Sequence, residues 1–153
     1  MLTPRHSLNV LRRHLSVIPL LMLMLLSGAG AHAQSMNSLH GRLSPMPVTA
    51  ATVKTITGQG EVRAILNGNT LNVSGHFEGM SSSATMAHIH MGPKAIPGPV
   101  ILRLDITSGT SGSINGTLTL SPEQIAALHA ESLYVQIHSE GNPEGELRGW
   151  LTH

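Results

Sequence analysis

Three histidines are the residues best placed to do chemistry in this chain. His88 and His90 sit two apart in Ala87-His88-Ile89-His90-Met91, with an apolar residue between them. Side chains of a β-strand alternate between faces, so both imidazoles project from one side while Ala87 and Ile89 take the other. A second apolar run, Leu133-Tyr134-Val135-Gln136-Ile137-His138, also ends in a histidine. If the two strand ends meet in space, three imidazoles converge on rigid supports. Imidazole suits copper, zinc and nickel, and strands can fix such ligands without a dedicated loop. Three nitrogens with an open position suit Cu(II), or Cu(I) where a thioether is near. Met86 shares the histidine face and Met91 follows His90 directly, so a soft fourth ligand is at hand. The bland alternative is that these rings hydrogen-bond loop carbonyls and hold the strand ends together.

The other candidates are weaker. His76 lies on the polar side of the preceding strand, either as a fourth nitrogen or as a solvated surface residue. His129 falls on a helix, where packing or an interaction with the helix end suits it. His40, in the N-terminal lead-in, and the terminal His153 are not expected to join a rigid site. Glu144 and Glu146 stand beside Asn142-Pro143 and Gly145, and read as turn residues or as exposed partners of Arg148 worth under about 1 kcal/mol. Met80, Met86 and Met91 read as a copper-handling cluster or as filler in an aromatic-poor core. No Ser-His-Asp pattern, nucleophile elbow or phosphate-cradling glycine loop is present. Nothing here suggests a conventional enzyme.

Short strands must position these residues. Ala51–Thr57 alternates weakly before a turn at Gly58-Gln59-Gly60, and Glu61–Leu66 reads as a strand closed by the hairpin signal Asn67-Gly68-Asn69. In Thr70–Phe77, Leu71, Val73, Gly75 and Phe77 share one face, with Asn72, Ser74 and His76 on the other. Ala84–Met91 carries the histidine pair. Val100–Ile106 is a near-continuous apolar run, expected to be buried on both sides. Ser113–Leu120 follows, then one helix, signalled by Ser121 as cap, Pro122 at the first position and Gln124 three after the cap. Ile125, Leu128 and His129 would form its inner stripe. Leu133–His138 and Gly145–Leu151 finish as two strands around Asn142-Pro143. About seven or eight such strands with one short helix predict an all-β fold, an antiparallel Greek-key-like β-sandwich or flattened barrel.

The N-terminus reads differently. Residues 1–14 carry Arg5, Arg12 and Arg13 without an acid, Leu15–Leu26 is almost wholly apolar, and Ala31-His32-Ala33 has the small-x-small form of a cleavage site. This predicts a signal peptide over residues 1–33, an uncleaved anchor being the alternative. Arg12-Arg13 raises the twin-arginine route beside general secretion. The apolar run is short for a membrane span and none follows it. Residues 34–50 read as a flexible lead-in and 51–153 as the folded domain. Beyond residue 33 there are six basic and eight acidic side chains, a net charge near −2 without basic clusters. That balance argues against nucleic acid as a partner. Absence of cysteine excludes disulfide staples and thiolate chemistry. The core must also be built almost without aromatics, for Phe77, Tyr134 and Trp150 are the only ones.

From about Lys54 to Leu151 the chain resembles the CHRD (chordin) domain. The resemblance is carried in order by Ala87-His88-Ile89-His90, Gly98-Pro99-Val100, Leu120-Ser121-Pro122-Glu123-Gln124, Leu133–His138 and Asn142-Pro143-Glu144-Gly145-Glu146-Leu147-Arg148-Gly149. It implies an exported β-sandwich module, found singly or repeated in bacteria and in an animal extracellular antagonist of growth factors. It implies no defined biochemical activity. A second, weaker similarity is to the copper/zinc superoxide dismutases, whose copper is held by a His-x-His strand and a histidine ending a later strand. By motif, His88 and His90 match the pair and His138 the third ligand. The long zinc loop of those enzymes has no counterpart between Met91 and Pro99, their cysteines are missing, and no arginine is evidently placed to guide an anion. The resemblance therefore leaves room for a mononuclear site only.

Three readings follow. The first is a periplasmic or secreted module binding one transition-metal ion, copper preferred, through His88, His90 and His138. The second is a module for protein or surface interaction outside the cytoplasm, with structural histidines. The third is a redox enzyme of dismutase type with copper alone.

Overall fold

The computed structural model describes residues 37–153, so the expected export signal lies outside the described residues. Eight strands form in chain order: β1 (Ser38–Pro45), β2 (Gln59–Asn67), β3 (Thr70–Glu78), β4 (Ala84–Met91), β5 (Val100–Ile106), β6 (Gly112–Thr119), β7 (Leu133–Ser139) and β8 (Leu147–Trp150). One helix, α1 (Pro122–His129), lies between β6 and β7. The strands close into an antiparallel barrel in the order β1-β2-β3-β6-β5-β4-β7-β8. Strands β4, β5 and β6 are consecutive neighbours, and β7 crosses back to lie beside β4, which is a Greek-key connection. Of the two architectures expected from the sequence, the barrel is the one adopted. Closure leaves no edge strand unpaired. Among the described residues no helix is long and apolar enough to cross a membrane.

Alternation decides what faces inward. Leu71, Val73 and Phe77 of β3 are buried, while Asn72, Ser74 and His76 are exposed. The β2–β3 hairpin pairs Asn67 with Thr70, and Gly68 takes φ +63° in the two-residue turn, a backbone conformation that costs glycine no Cβ clash. Leu39, Leu43, Val62, Ala64, Leu71, Ile89, Leu133, Val135, Ile137 and Leu147 fill the interior with Phe77. Each such leucine, isoleucine or valine contributes roughly 1.5–3 kcal/mol by leaving water. Tyr134 and Trp150 are not part of this interior. They lie on the outside of the barrel, where they matter for the site.

Three expectations need correction. Residues 38–45, expected within a flexible lead-in, form β1, which pairs with β2 along Ser38–Leu43 and with β8 at Ser44 and Pro45. It supplies the seam that closes the barrel. Its apolar face is only Leu39, Gly41 and Leu43, too short and too small to stand out against the serines and proline around it. Residues 51–57, expected as a weak strand, instead contain turns, with Val53 N–H bonded to Thr49 O and Ile56 N–H to Thr52 O. Strand β5 is not buried on both sides. Leu104 is buried opposite Ala87, whereas Arg103 and Asp105 are exposed, because among the described residues no layer covers the outer face of this part of the barrel.

The helix starts as the sequence implies. Ser121 Oγ accepts from Gln124 N–H at 3.2 Å, and Gln124 Oε1 accepts from Ser121 N–H at 2.9 Å. This reciprocal pair satisfies two amides that the first turn would leave open. Leu128 is fully buried and Ile125 packs against the core, while His129 is exposed in the last turn. Replacing Ser121 by alanine should cost about 1 kcal/mol, read as a fall of a few degrees in melting temperature; an unchanged melting curve would show that tertiary packing alone holds the helix.

Candidate metal centre

Strands β4 and β7 are neighbours, so the two histidine-bearing runs do meet. Their register places Met86 opposite His138, His88 opposite Gln136 and His90 opposite Tyr134. Strand β8 adds Arg148 opposite Gln136 and Trp150 opposite Tyr134. All these side chains share the outer face of the barrel, because Ala87, Ile89, Val135 and Ile137 take the inner one. One coordinating atom from each of His88, His90 and His138 lies within 4.8 Å of the others.

Hydrogen bonds define which atoms those are. His90 Nδ1 lies 2.9 Å from Gly98 O, and His138 Nδ1 lies 2.8 Å from Pro143 O. A carbonyl oxygen can only accept, so in both rings Nδ1 carries the proton and Nε2 presents a lone pair. His88 Nδ1 lies 3.3 Å from His138 Nε2, and because that nitrogen of His138 carries no proton the contact is a hydrogen bond donated by His88 Nδ1–H. Two nitrogens held about 2.0–2.1 Å from one ion at a tetrahedral angle would be about 3.4 Å apart, so this pair already has a chelating spacing. His90 Nε2 is buried without any hydrogen-bond partner, one of two such side-chain atoms among the described residues. An unpartnered buried nitrogen is costly unless something fills its lone pair. Ligating histidines commonly donate their other N–H to a carbonyl, and both His90 and His138 do so here.

Burial and charge favour the neutral form of His88 and His90. Burial lowers the His88 pKa below the usual histidine value, and the charges of His138, His90 and Arg103 add to that. For His90 burial is again the main cause; the bond to Gly98 opposes it, and the charges of His138 and Arg148 reinforce it. Neutral imidazole is the form that binds metal.

An aromatic and cationic wall backs the trio. The Tyr134 ring stacks on His90, with centroids 4.8 Å apart and planes 13° apart, and Trp150 lies 4.9 Å beyond. The Arg148 guanidinium sits 4.9 Å from the Tyr134 centroid, a cation–π arrangement. Its Nε donates to Gln136 Oε1 at 2.7 Å. The loop joining β4 to β5 caps this end. Tyr134 Oη accepts from Gly98 N–H at 3.0 Å and donates to Gly98 O at 3.2 Å, and Trp150 Nε1–H donates to Gly92 O at 3.0 Å. A Cβ on residue 98 would overlap Met91 O, so only glycine lets the loop sit this close to His90.

The remaining candidates separate. His76 is exposed on β3, opposite Glu61 and Ser113, and is not in the trio. His40 is exposed in β1 opposite Arg63, and His153 is exposed at the C-terminus. Met86 is half-buried on the histidine face, whereas Met91 packs against the core from the other side and Met80 is buried within it. Met91 is therefore not the soft ligand its sequence position suggests. Contrary to expectation, Arg103 stands opposite His88 in register. The glutamates also differ from their reading. Glu144 is exposed, but Glu146 is fully buried and bonded to loops rather than to Arg148. The wall residues Tyr134, Gln136, Arg148 and Trp150 were missed by sequence reasoning. Their signal was the two-residue spacing within Tyr134-Val135-Gln136-Ile137-His138 and Arg148-Gly149-Trp150.

No curated protein and no solved structure matches the chain. The family model described as the CHRD domain matches residues 39–151, which takes in every strand but the first residue of β1 and the whole histidine trio, and the chain therefore belongs to the CHRD domain family.

Proposed function

We propose that this CHRD-domain protein is an exported module that binds a single transition-metal ion, copper preferred, through His88, His90 and His138. The observation that carries the reading is the unpartnered Nε2 of buried His90, facing a trio whose other two rings already have a chelating spacing. The donor set fits the ion: three neutral nitrogens suit copper or zinc, and Met86 beside His138 offers a thioether that would favour Cu(I). Export to the periplasm or beyond is supported by the basic, apolar and small-residue pattern of residues 1–33.

The test is a copper titration of the protein beginning at Gln34, followed by EPR. One-to-one binding with hyperfine structure from nitrogen ligands is the expected result. Failure to bind copper or zinc would remove the metal reading. Superoxide turnover dependent on copper would instead move it to a redox enzyme of dismutase type. A second reading is an interaction module with structural histidines. It is favoured by the bonds of His90 and His138 to loop carbonyls, which would hold strand ends together even without an ion.

Acid should release the ion. A histidine with the ordinary pKa near 6.5 loses about 25-fold in ligand availability between pH 7 and pH 5. His88 and His90 protonate below that value, so each loses less over the same range, and the fall begins lower. Copper affinity is expected to drop more than tenfold by pH 5; constant affinity would contradict a three-histidine site. The metal-free fold should weaken over the same range. Between the lowered folded-state values and 6.5 the unfolded chain binds more protons than the folded one, so stability declines as pH falls through that window.

A further inference from the structure

We infer that Glu146 is the positioning residue of the histidine centre, its buried carboxylate holding the turn that fixes the orientation of His138. The inference concerns the fold around His138 and rests on the metal-binding reading only for its effect on affinity. Glu146 has no exposed surface, and each partner described for its carboxylate is an uncharged donor. Oε1 accepts from Thr57 N–H at 3.1 Å and from Ser81 N–H at 2.6 Å. Oε2 accepts from Ser139 Oγ and from Asn142 Nδ2 at 3.1 Å. Three separate stretches of chain therefore converge on one carboxylate. Burial pushes its pKa up, but the bonds from Ser139, Ser81 and Thr57 outweigh that and hold it below the ordinary glutamate value. A buried carboxylate without a cation is costly, so its full set of donors is a specific arrangement and not a packing accident.

The carboxylate shapes the turn through Asn142. Asn142 Nδ2 also reaches Thr55 O at 3.0 Å and Ser81 Oγ at 3.1 Å, and Asn142 O accepts from Gly145 N–H at 3.0 Å. The next two residues are the ones that touch the site. Pro143 O accepts the His138 Nδ1 proton at 2.8 Å, and Glu144 O accepts from Gln136 Nε2 at 2.7 Å. Fixing Pro143 O therefore fixes which His138 nitrogen keeps its lone pair. Glu144 O likewise orients Gln136, the acceptor for Arg148. His90 is held independently, by Gly98 on the other loop.

An amide cannot replace the carboxylate. In one orientation its NH₂ would face the backbone N–H groups of Thr57 and Ser81; in the other it could donate to the Ser139 hydroxyl but would still meet the Asn142 NH₂. Glu146→Gln should therefore loosen the turn while keeping its volume. Ser139→Ala is a milder second variant that removes one donor and remains informative if Glu146→Gln fails to fold.

The experiment is nitrogen-detected NMR of histidine-labelled, metal-free protein at pH 8, with copper affinity measured beside it. In the wild type both His138 and His90 should show the tautomer protonated at Nδ1. In the folded variants His138 should lose its fixed tautomer while His90 keeps it, and copper affinity should fall 10- to 100-fold, as for other partners of ligating histidines. Retention of the His138 tautomer in both variants would overturn the inference, and so would equal loss at His90, which would indicate general loosening. A wild type that shows the tautomers and the variant effect but binds no copper would uphold the positioning role and reject the metal reading.

Discussion

Replacing His138 by alanine is expected to lower copper affinity by more than about 100-fold, since even partners of ligating histidines cost 10- to 100-fold. His138 Nε2 and His88 Nδ1 lie 3.3 Å apart, a spacing that one ion could bridge, so on the proposed reading losing either leaves the ion with His90 and one other nitrogen. Thermal melting gives the same answer through linkage. At free copper 100 times the dissociation constant, the wild type should gain about 2.7 kcal/mol, a rise of roughly 10 °C for a domain of this size. His138→Ala should gain almost nothing. His88→Ala serves as the contrast because half-buried His88 bonds to His138 Nε2 and, among the described contacts, to no loop carbonyl. It should lose affinity as severely, while the metal-free protein loses one part-buried hydrogen bond and melts only slightly lower. His138→Ala also removes the bond to Pro143 O and should melt lower without metal. If both variants keep wild-type affinity, the trio is not the binding site. If the wild type binds no copper and His138→Ala melts well below His88→Ala, the histidines are structural.

The convergence of the trio was legible because two facts sufficed. Alternation put His88 and His90 on one face, and a Greek-key order brings β7 beside β4. The first is local and visible in five residues; the second came from resemblance, since pairing between distant strands leaves no trace in composition. The barrel's seam was not legible. In β1 the inward positions are Leu39, Gly41 and Leu43, and a glycine in the middle erases the apolar period on which strand detection depends. Glu146 failed for another reason. A glutamate beside asparagine, proline and glycine reads as an exposed turn residue, and its burial depends on Thr57, Ser81 and Ser139 arriving from elsewhere in the chain. The aromatics failed by assumption. Hydrophobic type suggests the core, yet Tyr134 and Trp150 take the outer face, where their polar atoms reach Gly98 and Gly92. A buried phenol or indole needs such a partner, and the interior of this barrel is lined almost wholly by aliphatics.

Tyr134→Ala should be among the most destabilising single changes in the domain, and its effect should reach the centre as well. Tyr134 is 1 % exposed and lies between the rings of His90 and Trp150, with the Arg148 guanidinium against its face. Truncating a buried aromatic costs about 3–5 kcal/mol, which corresponds to a fall of roughly 10–20 °C in melting temperature. Tyr134→Phe separates packing from hydrogen bonding. It keeps the stack but leaves Gly98 N–H without its acceptor, at a cost of about 1–3 kcal/mol if that amide stays dry. The same change frees the loop that presents Gly98 O to His90 Nδ1. Copper affinity should therefore weaken in Tyr134→Phe although no ligand has been touched, whereas a surface substitution such as Thr117→Ala should leave it unchanged. If Tyr134→Phe lowers the melting temperature but not the affinity, His90 is held by its stacking and packing alone. If it lowers both, the phenol is part of what orients His90, and the two loops that hold Gly98 O and Pro143 O act as paired clamps on the two Nε2 ligands.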